Sequence, residues 1–165
     1  MCKRRKIKIE IKNINILISK NQMFCFYREN QEEIMQTPEY KVIVVGESMT
    51  GKSTFVHNIF YNKKRRGNPR STIGVDVVAV DLHGEGPKKR ANLWDCAGNP
   101  VFAGLGEDYW HGATHALIFG VSHRTQYQYY LNRLPRTVRR KVILDYDQDD
   151  DNIEELKQEL YDFLE

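Results

Sequence analysis

Apolar and polar residues change their period several times along the chain, and each change marks an element. From Lys6 to Ile18 isoleucines alternate with polar residues, but the apolar phase slips from odd to even positions at Lys12-Asn13. One strand through this stretch needs a bulge to keep a single face apolar. The segment reads either as an added edge strand or as nothing ordered. Val42 to Val45 is an unbroken apolar run, the mark of a strand buried on both faces. Thr54 to Tyr61 sets Phe55, Ile59 and Phe60 near helical spacing, and the basic stretch Asn62 to Arg70 then reads as an exposed loop. Val75 to Leu82 alternates, Gly84-Glu-Gly-Pro87 is a turn and Arg90 to Trp94 returns, which predicts an antiparallel hairpin. Residues 102–113 read as a loop with weak helix, Ala116 to Val121 as a buried strand, and Thr125 to Leu134 as a short helix stopped by Pro135. Lys141 to Tyr146 is a further strand. Asn152 to Leu164 is a helix with Ile153, Leu156, Leu160 and Leu164 on one stripe. Strands alternating with helices give an α/β fold: a mainly parallel sheet with helices on both faces, an antiparallel edge hairpin over 75–95, and a site at the carboxyl ends of the strands.

A length of 165 residues, 41% of them apolar and 28% charged, describes one globular domain with room for a tail and none for a second full domain. Cys2, Cys25 and Cys96 match neither a disulfide framework nor a zinc pattern, so the chain is expected in a reducing compartment, cytoplasmic with the nucleus also open to it. Cys96 reads as a small side chain in a loop. No apolar run reaches the roughly 20 residues of a membrane span, and no membrane anchor is visible. The net charge of +3 hides a split: residues 142–165 hold ten acidic side chains against the single Lys157, which leaves about +12 for the rest. Basic clusters at Lys3 to Lys6, Lys63 to Arg66 and Arg133 to Lys141 read as solvated surface, or as footing for nucleic acid, an acidic protein partner or an import receptor. No DNA partner is expected.

The chemistry concentrates in Gly46-Glu47-Ser48-Met49-Thr50-Gly51-Lys52-Ser53-Thr54, an apolar strand ending in a glycine loop that opens a helix. Glycines at both ends let the backbone curl so that successive N–H groups point at a polyphosphate. Lys52 offers a point charge to the β and γ oxygens, the Ser53 hydroxyl can reach Mg²⁺, and the helix presents its positive N-terminus to the same anion. Asp95, at the carboxyl end of a strand beyond this loop, stands where an aspartate holds the Mg²⁺ shell.

The order Gly46 to Ser53, then Ser71-Thr-Ile-Gly-Val-Asp76, then Leu93-Trp-Asp-Cys-Ala-Gly-Asn99 resembles the first three motifs of the Ras-superfamily small GTPases. Thr72-Ile-Gly-Val-Asp76 is most similar to the effector loop of Ran, as is Phe102-Ala-Gly-Leu-Gly-Glu-Asp-Tyr-Trp110 to the segment that follows in Ran; Rab proteins are nearly as similar through Thr72 to Asp76. The likeness spans Tyr40 to about Arg124 and fades afterwards. It implies a phosphate-loop small-GTPase fold that binds GTP or GDP with Mg²⁺. Ser53 and Thr72 would be direct metal ligands, and Asp95 would hold a metal-bound water. The backbone N–H groups of Thr72 and Gly98 would sense the γ-phosphate, and Asp147 would read the guanine. Residues 62–76 and 95–112 would be switch segments, ordered by triphosphate and released with diphosphate, that meet effector or transport-receptor proteins.

The departures are specific. Asn99 stands where the family has a water-orienting glutamine and is followed by Pro100; Arg65 stands where Ran places an aromatic ring over the base. Leu144-Asp-Tyr-Asp147 keeps only the aspartate of the guanine-reading motif, and no Ser-Ala-Lys motif follows. Asp147 also belongs to an acidic run that suggests an EF-hand, but Asp150 and Leu156 replace the glycine and glutamate such a loop needs. The expected organisation is a leader at 1–34, disordered or outside a functional chain starting at Met35, and a small-GTPase-like domain at 35–165 lacking the last strand and helix. That loss would bare apolar sheet surface. Three functions follow: a slow GTPase in which Asn99 and Thr72 serve the chemistry, a degenerate module competing for partners of Ran, and an ATP-using phosphate-loop protein. Asp95-x-x-Gly98 and Thr72 speak against the third.

Overall fold

The computed structural model describes residues 7–11, 14–18, 37–67, 70–147 and 152–165. It divides into two compact units, Met1–Thr37 and Pro38–Glu165. In the first, β1 (Ile7–Ile11) pairs antiparallel with β2 (Ile14–Ile18). The register sets Ile7 opposite Ile18, Ile9 opposite Ile16 and Ile11 opposite Ile14. The odd-to-even phase slip is therefore the reversal between two short strands, because an antiparallel pair separated by two residues matches odd positions with even ones. No bulge is needed.

The second unit is built on a five-stranded sheet in the order β4-β5-β3-β6-β7. Its strands are β3 (Glu39–Gly46), β4 (Val75–Leu82), β5 (Lys89–Cys96), β6 (His115–Gly120) and β7 (Arg139–Leu144). β3 lies parallel to β5 and β6, β7 lies parallel to β6, and only β4 runs antiparallel, as the edge partner of β5. The central strands are buried on both faces, as unbroken apolar runs require. Val42 and Val44 of β3 point to one side and Ile43 and Val45 to the other.

On the first side, α1 (Lys52–Tyr61) brings Phe55, Val56 and Ile59 down on Val42, Val44, Leu93, Leu117 and Phe119. Phe60, which follows Ile59 in the same helix, is 44% exposed. Beside α1 lies α3 (Ile153–Phe163), capped at its start by the Asn152 side chain, which accepts from the Glu154 N–H at 3.1 Å. Its Leu160 and Tyr161, with Leu164 just beyond, join the same core. The surface expected to lie bare is covered there, because this amphipathic stripe docks on it. On the other side, α2 (Tyr127–Arg133) and the 3₁₀ turn Gly106–Trp110 cover Ile43, Val45, Ala116 and Ile118.

Two further expectations shift. β7 begins two residues earlier than expected and ends at Leu144, where Leu144 pairs with Gly120. Cys96 is not in a loop: it closes β5, buried, with its thiol pushed up to about 12 chiefly by desolvation.

Candidate functional site

β3, β5, β6 and β7 all end on the same edge of the sheet, and a cavity of about 660 Å³ opens there. Its floor is the loop from Ser48 to Thr54. That loop turns through backbone conformations that glycine adopts freely, Gly46 at φ +142° and Gly51 at φ +90°, with Met49 at +65° between them. The Glu47 carbonyl accepts from Thr50 Oγ1 at 2.9 Å and from Lys52 Nζ at 2.5 Å, so the lysine is folded back over its own loop. Lys52 is buried, and desolvation lowers the pKa of its ammonium against the opposing pull of Asp95. Gly98 closes on this loop from the β5 side: a Cβ there would lie 2.6 Å from Ser48 N and from Lys52 Nζ, so no larger residue fits without displacing the phosphate loop.

The three oxygen donors expected around a metal are together. Ser53 Oγ and Thr72 Oγ1 are 3.0 Å apart, and Thr72 Oγ1 donates to Asp95 Oδ2 at 3.3 Å. Asp95 is 3% exposed, and its second carboxylate oxygen, Oδ1, has no protein hydrogen-bond partner. Burial raises its pKa first of all, against the hydrogen bond from Ser53 and the charge of Lys52. A buried, unpaired carboxylate oxygen beside two hydroxyls suits a hard divalent cation such as Mg²⁺, which takes one or two carboxylates and completes its shell with waters and substrate phosphates. Among the described residues no group of three or more His, Cys, Asp and Glu side chains is placed to hold a metal by itself.

Asn99 lines the cavity, but its carboxamide oxygen is in use. Oδ1 accepts from the Val101 N–H at 3.0 Å and caps the 3₁₀ turn Pro100–Phe102. Arg65 does not line the cavity; its backbone N–H donates to Asn58 Oδ1 at 2.7 Å near the end of α1. Arg70 and Ser71 line it instead, ahead of Thr72. Sequence reasoning passed over Arg70, whose only signal was its place two residues before the threonine.

At the far end stand Gly120, Val121 and Asp145 to Asp147. Leu144 is still in β7, so the loop proper starts at Asp145, in the left-handed region at φ +49°. Its carboxylate accepts from the Ser122 N–H at 3.1 Å and from the Ser122 hydroxyl, and these bonds hold its pKa down. Tyr146 lays its ring against Gly51, where a Cβ would come 2.5 Å from Cδ1, and meets Phe55 and Phe119 edge-on. Asp147 is exposed on the wall.

The two segments expected from the resemblance to act as switches touch each other. Gly74 N–H donates to the Phe102 carbonyl at 2.6 Å, and Ala97 N–H donates to the Gly74 carbonyl at 2.9 Å. Ile73 (77%), Val101 (83%) and Leu105 (64%), with the less exposed Phe102 beside them, are exposed apolar residues of this face.

Comparison with known proteins agrees with this geometry. The family model described as Ras of Complex, Roc, domain of DAPkinase matches residues 41–145. The Ras-related protein RABA5e of Arabidopsis thaliana is 31% identical over 101 residues, which are 61% of this chain and 44% of that protein. The chain thus spans less than half the length of that relative. Among the described residues no helix is long and apolar enough to cross a membrane.

Proposed function

This chain belongs to the Ras-of-complex (Roc) family of Ras-superfamily GTP-binding domains, and from that premise we propose that it is a Mg²⁺-dependent GTP-binding switch that hydrolyses GTP slowly and acts mainly as a protein-binding module. The observation that carries the reading is the cluster of Ser53, Thr72 and Asp95 with its unpaired carboxylate oxygen, set beside the buried Lys52. Ser53 and Thr72 would hold the metal directly and Asp95 through water; the metal would neutralise charge on the β- and γ-phosphates. Thr72 ties the first switch segment to that cluster, and the Gly74 and Phe102 backbones tie the second segment to the first. Ordering by triphosphate would then present Ile73, Val101 and Leu105 together, a surface for an effector or transport-receptor protein. The likeness of Thr72 to Asp76 to the effector loops of Ran and Rab supports a protein partner there and a cytoplasmic or nuclear setting.

Slow hydrolysis rests on Asn99. To orient a water, its side chain must give up the cap on Val101, at a cost of about 1 kcal/mol, and it is one methylene shorter than a glutamine. Pro100, fixed at the start of the turn, restricts the backbone that would have to compensate. The test is single-turnover phosphate release from GTP loaded on the full chain. Bound GTP should persist, and Asn99→Gln should release phosphate faster than the parent. Rapid release from the parent, or a glutamine variant no faster, contradicts the slow-hydrolysis reading, and preferential loading of ATP would favour an ATP-using protein.

A further inference from the structure

The cavity wall carries a second cation besides Lys52. Arg70 lines it together with Thr72, Gly98 and Asn99, two residues before the threonine that is bonded to Ser53 and Asp95. Four other arginines of this unit are paired. Arg90 pairs with Asp81, Arg124 with Glu47 and Arg133 with Glu107, while Arg140 donates to the carbonyls of Leu131, Leu134 and Pro135. Arg70 is exposed and has no hydrogen bond or ion pair among the described residues. The two cationic side chains on the wall therefore differ in kind: Lys52 is buried and folded onto the Glu47 carbonyl, and Arg70 is open to solvent on the loop that Thr72 anchors.

The far end of the cavity carries Asp145 and Asp147, so the potential along the wall runs from acidic at the β7 end to cationic at the phosphate loop. An added γ-phosphate brings negative charge and three more acceptor oxygens, and a guanidinium presents forked N–H donors that match two phosphate oxygens at once. Asn99, the neighbouring polar side chain on that wall, is committed to its cap. We propose that Arg70 reads the terminal phosphate: its guanidinium binds the phosphate oxygens of a nucleoside triphosphate, and in doing so holds the loop of residues 70–74 against the site. The inference deepens the nucleotide-switch reading and rests on it. It assigns Arg70 to binding and to closure of the first switch, and leaves the water-orienting role unfilled. Closure would pass to the second switch through the bond from Gly74 N–H to the Phe102 carbonyl.

The experiment measures equilibrium affinity of the full chain, with Mg²⁺ present, for a non-hydrolysable GTP analogue and for GDP, in the parent, Arg70→Ala and Arg70→Lys. Arg70→Ala should weaken the analogue by about tenfold or more, the worth of a hydrogen bond to a charged group, while GDP changes less than about twofold. Arg70→Lys should recover part of the loss, because it restores charge without the fork. An alanine variant that loses neither ligand, or loses both equally with an unchanged melting curve, overturns the assignment while the nucleotide-binding reading stands. A parent that binds neither ligand overturns both.

Discussion

The two ends of the cavity are built on different principles. At the phosphate end the polar groups are buried before any ligand arrives: Thr50, Lys52, Thr54 and Asp95 are each at most 7% exposed, with Thr50 and Lys52 bonded to the Glu47 carbonyl and Asp95 Oδ2 to Thr72. The partial charges there are fixed by the fold, so little reorganisation is paid when an anion and its metal arrive. At the β7 end Asp145 spends its carboxylate on Ser122, and Tyr146 spends its ring on Gly51, Phe55 and Phe119. Asp147, on the same wall, is exposed, where solvent screens its charge. The contrast teaches where the affinity should reside. On the proposed function, a preorganised phosphate cradle beside a lightly equipped base end would make a protein that recognises Mg-triphosphate first and the base second.

Removing the cradle's cation should have the largest effect. Lys52→Ala is expected to weaken nucleotide binding by more than about 100-fold, because a desolvated ammonium facing phosphate is lost with its helix intact; calorimetry reads this directly. Equal affinity before and after would break the comparison at its stronger end. Next comes the fold that supports both ends: Leu160→Ala or Leu164→Ala, truncating the stripe by which α3 covers the sheet, should cost about 2 to 5 kcal/mol in chemical denaturation. Asp147→Ala should weaken GTP by less than about tenfold, since an exposed carboxylate contributes modestly; a larger loss would show that the base end is better built than its exposure indicates. The smallest expected effect is a pH slope. His115 is buried between the Tyr40 and Phe163 rings, and its pKa is lowered by desolvation first and then by Arg139, with Lys89 also opposing the proton. The unfolded chain takes up a proton on this residue below about pH 6.5 that the folded chain refuses, so its contribution to stability is present above that pH and lost as pH falls. Thermal midpoints from pH 7.5 to 5.5 should decline, and His115→Gln should flatten part of that decline.

Much of the fold was legible because period carries it. The apolar run Val42 to Val45, the glycine loop and Lys52-Ser53 could only be strand, turn and helix, and the alternation of Val75 to Leu82 made the edge hairpin plain. β7 was misplaced by two residues because Arg139 and Arg140, ahead of Lys141, read as a basic loop. Two of those charges are in fact satisfied locally, Arg140 by carbonyls beyond α2 and Lys141 by Glu159 of α3, which lets the strand begin at Arg139. The stripe on α3 was readable, but where it docks is tertiary information. At the site, the Ser53, Thr72 and Asp95 grouping could be anticipated from motif order, whereas the state of Asn99 could not be anticipated from its alignment alone. Asn-Pro at a turn start is a capping signal in its own right, and that local role took the side chain. Tyr146 was read as the last residue of a strand, yet it lies beyond β7 and its ring sits edge-on to Phe55 and Phe119. Arg70 had no signal beyond its place two residues before Thr72; only the closing of the loop toward Ser53 sets it on the wall.

The most direct test of the central claim is a titration of the full chain with GTP, first with Mg²⁺ present and then with the metal chelated. The cradle of Lys52, Ser53, Thr72 and Asp95 predicts saturable binding that weakens by about tenfold or more without the metal, because the Asp95 carboxylate then faces the phosphates unneutralised. Binding of equal strength with and without Mg²⁺, or no binding in either condition, would contradict it.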